Sequence, residues 1–491
     1  MTTAAPRTST RATFVVLAAG LTSYSLLQSL VIPVLPTIQH ELGTTQADVT
    51  WVLTANLLAA SIATPILGRL GDMLGKKRVF VLVLVALGVG CLLSALATSL
   101  PLMLVGRVVQ GIGGGVMPLA FGIVRDEFPD DRVPGAISGL ASILAAASGA
   151  GVVLAGPIEG ALGLSGLFWL PLGVIAAATL AAHVVIPESR VRTAGRINWT
   201  AALLLSGWLV TLLLGVSRAP QWGWGSAAVI GLLTATAVLA VLWVVVEARA
   251  THPLIDMRMM RLRGVWTANL VALLVGIGMY ASFAFLPQFL QTPESAGYGF
   301  GATVAESGLI MLPQTAASFV LGLVSGRLGQ RFGTRNVLLV GGLLAAAGFF
   351  ALALAHDHRW QVFAATTLVG VGFGCAFASM ANVIVAAVPQ SQTGVASGMN
   401  ANIRTIGGAV GSAAMATVVT AHAGAGGLPE ESGYVTGFLL LGSALLASGL
   451  AALLIPAMRR DPVTHEEPGA LNRHPQAALV AGGPVAGTGE E

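Results

Sequence analysis

Charged and strongly polar side chains are rare in this chain, so those lying within or between its apolar runs carry most of its chemical information. Eleven residues, Gly68-Arg69-Leu70-Gly71-Asp72-Met73-Leu74-Gly75-Lys76-Lys77-Arg78, join two such runs and set one carboxylate among four cations. The glycines permit tight turning and close helix approach, and Asp72 at a helix end can accept hydrogen bonds or face a neighbouring helix's positive N-terminus. Asp126 is a candidate counter-charge. Arg107 and Gln110 sit inside an apolar run. A guanidinium there costs roughly 2.5 kcal/mol or more unless it meets partners or water, or snorkels to the interface. Gly149, Gly156 and Pro157 precede Glu159. Pro157 removes a backbone donor, so a bend or a close helix contact is expected. Glu159 could be desolvated near the membrane boundary and pick up protons, or end its helix in water; Asp48 and Glu306 are the other candidate proton carriers. Asn400 and Arg404 open a late apolar run, where Arg404 either faces a water-filled cavity or snorkels. Tyr24, Gln28, Asn56, Gln110, Asn269, Gln288 and Gln314 are further intramembrane polar groups, either interhelical glue or, jointly, the lining of a cavity.

The elements that must position these groups are membrane helices. Charged residues make up 9% of the 491, against roughly a quarter in ordinary soluble domains, so too few polar groups exist to cover a soluble surface. Runs of about 20 apolar residues span a hydrocarbon core as helices, which satisfy their own backbone groups. Fourteen are predicted, near 14–36, 49–69, 79–98, 101–124, 134–158, 165–186, 198–216, 227–247, 265–288, 304–326, 337–355, 361–387, 393–420 and 434–456. The first lacks a small-residue cleavage site and is expected to be retained. With the N-terminus inside, all of the 25 basic residues except Arg107, Arg218, Arg359 and Arg404 fall on the cytoplasmic side, as the positive-inside bias requires. An even number of spans with both termini cytoplasmic follows. Cys91 and Cys375 lie in apolar runs and read as packing residues, and His356-Asp357-His358 as a solvated turn without companion ligands, so no metal site and no cofactor is expected.

The chain is duplicated internally. The eleven-residue connection returns as Gly326-Arg327-Leu328-Gly329-Gln330-Arg331-Phe332-Gly333-Thr334-Arg335, with Gln330 in the place of Asp72. An offset near 258 pairs Thr45 and Asp48 with Thr303 and Glu306, each a Thr-x-x-acid capping pattern, and further on Gly135-Ala136-Ile137-Ser138-Gly139 with Gly394-Val395-Ala396-Ser397-Gly398. Two six-helix bundles then remain when the seventh and eighth spans are treated as an insertion. The expected divisions are a cytoplasmic N-terminus at 1–13, a bundle at 14–190, the inserted helices and linker at 191–263, a second bundle at 264–456, and a disordered cytoplasmic tail at 457–491.

The first connection resembles the loop signature of the major facilitator superfamily, and the span count resembles its fourteen-span drug:proton antiporters. The resemblance implies an all-α polytopic fold of two six-helix bundles plus an inserted two-helix hairpin, moving by alternating access. It makes Gly68, Arg69, Asp72, Gly75, Lys76, Lys77 and Arg78 a conformational latch, although the cluster could also serve only to fix orientation. Gln330 should then latch more weakly than Asp72. Arg107-Val108-Val109-Gln110-Gly111 resembles the family element that couples proton movement to conformational change, and Gly149 through Pro157 resembles the antiporters' glycine–proline signature. The chain departs from the pattern in its first span, where Tyr24 through Pro36 hold no acidic residue. The expectation is a bacterial plasma-membrane exporter of lipophilic or cationic small molecules, a monomer in the bilayer driven by protons, with no nucleic acid partner. A dedicated exporter or uptake carrier for one metabolite keeps the same fold; a polytopic enzyme would need clustered nucleophiles or acid–base pairs, which the loops do not offer.

Overall fold

Apolar runs closed by glycine and proline give helices here, and in a computed structural model the described residues (9–44, 46–49, 51–188, 198–251, 253–421 and 429–456) contain no strand. Thr45, the basic residues Arg7, Arg190, Arg192, Arg196, Arg459, Arg460 and Arg473, and the tail expected at 457–491 lie outside them. Among the described residues thirteen helices are long and apolar enough to cross a membrane. One, Val133–Val185, is two helices joined at Gly163, whose φ of 71° breaks the helical path, so fourteen spans result. In chain order they are α1 (Thr10–Leu30), α2 (Trp51–Leu74), α3 (Lys76–Ala95), α4 (Leu100–Glu127), α5 (133–162), α6 (164–185), α7 (Trp199–Trp222), α8 (Ala227–Arg249), α9 (Arg263–Gln291), α10 (Val304–Phe332), α11 (Thr334–Leu354), α12 (Arg359–Ala387), α13 (Thr393–Ala421) and α14 (Glu431–Ala451).

The duplication is visible in the backbone. Between α2 and α3 the chain turns on Gly75 (φ 108°, ψ 127°), and between α10 and α11 on Gly333 (φ 85°, ψ 134°), a conformation that side chains resist. The capping box expected at the start of α10 is present, Thr303 and Glu306 satisfying each other's backbone amides. Several predicted edges shift for local reasons. α1 stops at Leu30, ahead of Pro33, and a short helix Leu35–Glu41 follows. α4 tightens to a 3₁₀ turn over Ile112–Gly115, where Gly114 and Gly115 let α2 press close. His356 departs from the solvated turn: it is buried, Nδ1 facing the Leu352 carbonyl at 2.6 Å and Nε2 facing Glu431 at 2.8 Å.

Helices α1–α6 and α9–α14 form two bundles that meet along paired seams. α2 of the first packs on α13 of the second, and α10 of the second on α5 of the first. α7 lies across the α2–α13 seam. Its Arg218 stands 4.6 Å over the Trp51 ring of α2, and beyond its end Trp224 donates to Thr417 Oγ1 of α13 at 2.9 Å. α8 packs chiefly on α7 and turns Val238, Val241, Leu242 and Val244 outward, as a lipid-facing helix does.

Candidate functional site

Two features stand between the bundles, a sealed end and a cavity. The sealed end carries the basic connection. Gly68 on α2 has no room for a side chain, since a Cβ there would come 2.8 Å from the Gly394 carbonyl oxygen of α13. The duplicated seam repeats this: a Cβ at Gly326 on α10 would lie 2.8 Å from Ser138 Oγ on α5. One turn beyond Gly68, the Asp72 carboxylate faces the first turn of α13, with Oδ2 and Oδ1 3.2 and 3.3 Å from where a Gly394 Cβ would sit. A negative group there meets the positive end of the helix dipole. Lys76 Nζ lies 2.7 Å from Asp126 Oδ2 and 3.7 Å from Asp72 Oδ1, and all three side chains are at most 3% exposed. Arg125 of α4 reaches across to donate to Thr393 Oγ1 at 2.7 Å, and Gln390 returns a bond to the Arg125 carbonyl at 2.8 Å. On the other seam Asn382 donates to Ser138 Oγ at 2.7 Å.

The eleven-residue cluster therefore divides. Gly68, Arg69, Asp72, Gly75 and Lys76 are buried at or beside the seam, Lys77 is half-buried, and Arg78 turns away to pair with Glu188 at 3.1 Å. Gln330, the counterpart of Asp72, is exposed.

The cavity lies deeper between the bundles, beyond this sealed end. Two contiguous chambers, with free volumes of about 60 and about 90 Å³, are lined by both bundles. Tyr24 and Gln28 come from α1, Asn56 from α2, Arg107 from α4, Tyr280 and Phe283 from α9, Phe377 from α12, and Asn402 and Arg404 from α13. Gln28 Nε2 donates to the Tyr24 hydroxyl at 3.1 Å. Ile32 and Leu53 carry the lining to the far ends of α1 and α2.

Local chain chemistry supplies the buried acceptors. Pro65 has no N–H for the Ser61 carbonyl one turn back, and Asn402 of the other bundle donates to that oxygen at 2.7 Å. The carbonyls in the last turn of α1 lack helical donors, and Leu27 O receives Arg107 Nη1 at 3.5 Å. Arg107 also donates through Nε to Val52 O at 3.0 Å and through Nη1 to Gln110 Oε1 at 2.6 Å, while Asn56 donates to the Arg107 carbonyl at 3.1 Å. Arg107 thus ties α1, α2 and α4 together without reaching the interface.

Of the nine polar cavity candidates, Tyr24, Gln28, Asn56 and Arg404 line these chambers. Gln110 is occupied with Arg107, Gly90 O and Ser94; Asn400 and Asn269 bond to each other across α13 and α9; Gln314 is buried at the Gly370 backbone; Gln288 is exposed. Tyr280 and Asn402 were missed. Tyr280 is one of only four tyrosines in the chain, and that rarity inside a span was the available signal. Gly149 lies against Thr315 on the α5–α10 seam, where a Cβ would collide with its hydroxyl, whereas a Cβ at Gly156 would meet Ala305 at an ordinary 3.6 Å. Pro157 lies one residue further along α5. Glu159 is half-buried and accepts from Thr37 Oγ1 at 3.3 Å, while Asp48 and Glu306 are exposed; none of the three lines the cavity. Among the described residues no group of three or more His, Cys, Asp or Glu is placed to hold a metal.

A family model described as Major Facilitator Superfamily matches residues 17–299 and 269–482. The tetracenomycin C resistance and export protein of Streptomyces glaucescens is 29% identical over 84% of this chain and 76% of its own. The cephamycin export protein of Amycolatopsis lactamdurans is 30% identical over 96% of this chain and 97% of its own. Among solved structures, a human organic anion transporter aligns over 91% of this chain and 100% of its own with a TM-score of 0.67 at 17% identity, a likeness that establishes the fold alone.

Proposed function

Because the chain belongs to the Major Facilitator Superfamily, and is therefore a multi-pass transporter and not an enzyme, we propose that it exports small lipophilic molecules by alternating access. The observation that carries this reading is a cavity lined by both bundles and closed off at one end by the Gly68–Gly394 and Gly326–Ser138 seams. The export direction draws on the similar antibiotic exporters. The expected halves are 14–190 and 264–456, with 191–263 as the insertion. Arg69, Lys76, Lys77, Arg78, Arg125 and Arg132 gather at the sealed end, so the positive-inside bias orients that end, and both termini, toward the cytoplasm of a bacterial cell. The conformation described is then outward-facing and contracted, because about 60 and 90 Å³ fall well short of the roughly 300 Å³ or more that drug-sized ligands fill.

In this mechanism Asp72, held on the N-terminus of α13 and balanced by Lys76 and Asp126, is the latch that must open for cargo to enter from the cytoplasm. Inward movement of protons drives the cycle. Glu159 is the preferred carrier among the carboxylates named from sequence, since it is partly shielded and bonded to Thr37 while Asp48 and Glu306 are exposed. Everted vesicles accumulating a lipophilic dye test this. Accumulation should fall when the proton gradient is collapsed and in Glu159→Gln; accumulation indifferent to the gradient removes proton exchange. The narrow cavity with donors at Gln28, Asn402 and Arg404 also suits a dedicated carrier of one metabolite, and a compound panel separates the two.

A further inference from the structure

We propose that the transported molecule is an aromatic organic anion whose acidic group pairs with Arg404. The inference rests on the cavity being the transport route and names the class of its cargo. Arg404 is 6% exposed, projects from α13 into the chamber, and has its guanidinium stacked 4.6 Å over the Phe377 ring. Its Nε has no hydrogen-bond partner, one terminal nitrogen reaches the Met117 sulfur at 3.8 Å, a weak acceptor, and the Tyr280 hydroxyl is its other hydrogen-bonding neighbour. The ionisable groups around it are the Tyr24 and Tyr280 hydroxyls. Arg107 lies in the same cavity, and the ionisable groups around it are the Cys91 thiol and the Tyr24 hydroxyl. Neither guanidinium makes an ion pair among the described residues, and no Asp or Glu lines either chamber.

Two buried cations without a counter-ion are costly, and a cationic cargo would add a third positive charge with no carboxylate to receive it. An anion reverses the sign. A carboxylate or sulfonate at Arg404 fills the empty Nε position with a charge-assisted bond and offsets one of the two positive charges. The rest of the wall is aromatic, from Tyr24, Tyr280, Phe283 and Phe377, which fits a flat ring attached to that group. Arg107 differs in role: its Nε and Nη1 donate to Val52, Leu27 and Gln110, so it sets the field of the site while Arg404 holds the ligand.

The test uses the full chain in detergent with three matched probes, 2-naphthalenesulfonate, its uncharged sulfonamide and N-methylquinolinium, followed by flux into proteoliposomes. The sulfonate should bind about tenfold or more tighter than the sulfonamide, the scale of one charged hydrogen bond. Arg404→Gln should weaken the sulfonate far more than the sulfonamide and so abolish that difference, and Arg404→Lys should keep part of it. Equal binding of sulfonate and sulfonamide, a preference for the quinolinium, or a preference that survives in Arg404→Gln overturns the anion site. The exporter reading fails separately: specific sulfonate binding with no flux of any probe sinks export but leaves the anion site, whereas flux of the quinolinium alone keeps export and sinks the anion site.

Discussion

Lys76 serves two carboxylates with one charge, and its surroundings make that balance consequential. It is 1% exposed between Asp72 and Asp126, and lies along Gly122, where a Cβ would come 2.7 Å from its Cδ. Replacing it with Met leaves two buried carboxylates without their shared cation, a loss of about 3–5 kcal/mol by the usual cost of breaking a buried pair. Asp72→Asn instead leaves the Lys76–Asp126 pair intact. The expected outcome is that Lys76→Met melts well below the native protein in detergent, while Asp72→Asn melts close to it, yet turns over several-fold more slowly with substrate affinity little changed. Equal melting of the two variants would show that the cluster is not electrostatically coupled, and native turnover in Asp72→Asn would remove its role as latch. The sequence made the acidic and basic members of this group visible because they are out of place beside apolar runs. It left unsettled which cation would turn inward, since Lys76, Lys77 and Arg78 are adjacent and helical rotation alone sends Lys76 toward Asp126 and Arg78 toward Glu188. Arg404 was legible as an intramembrane charge, but the ring beneath it and the lack of a carboxylate beside it are properties of several helices meeting.

At the scale of elements, the two seams between bundles rest on small residues, and the α5–α10 seam offers a contrast within one helix. A Cβ on Gly149 would come 2.7 Å from the Cβ of Thr315, a stiff β-branched side chain, so neither partner can turn aside. A Cβ on Gly156 fits against Ala305 at van der Waals distance. Gly149→Ala should therefore cost about 1–3 kcal/mol, the usual penalty of overpacking, and impair flux by wedging the bundles apart. Gly156→Ala should be close to neutral in both respects. A neutral Gly149→Ala, read by thermal unfolding and dye flux, would mean that α5 and α10 are not held this closely. The existence of these helices was readable from hydropathy, and the pairing of halves from the repeat. Their edges were less so, because Pro33 and the glycines from Gly111 to Gly115 act on backbone geometry without changing hydropathy. The place of α7 could not be read at all. Its side chains are apolar like those of any span, and only packing shows that it straddles α2 and α13 through Arg218 and Trp224.

For the whole molecule, the question is what work the membrane does on the cargo. A unit charge crossing the membrane potential gains or loses about 2.3 kcal/mol per 100 mV. A monoanion leaving a compartment that is negative inside is thus expelled, and a proton entering in exchange adds a second favourable charge movement. Positive groups in the cavity then do more than bind: Arg107 and Arg404 let an anion enter a low-dielectric passage without leaving it unpaired at the midpoint of the crossing. The prediction is directional. In proteoliposomes clamped by a potassium diffusion potential, a potential negative on the side of the basic end should speed 2-naphthalenesulfonate away from that side, and the reverse potential should slow it. The limiting gradient should change by roughly fiftyfold per 100 mV for one net charge. The sulfonamide should respond only through whatever protons accompany it. Sulfonate flux indifferent to the potential would mean that the anion travels with a compensating cation, and the cavity's two arginines would then not be offsetting the charge of a cargo that moves alone.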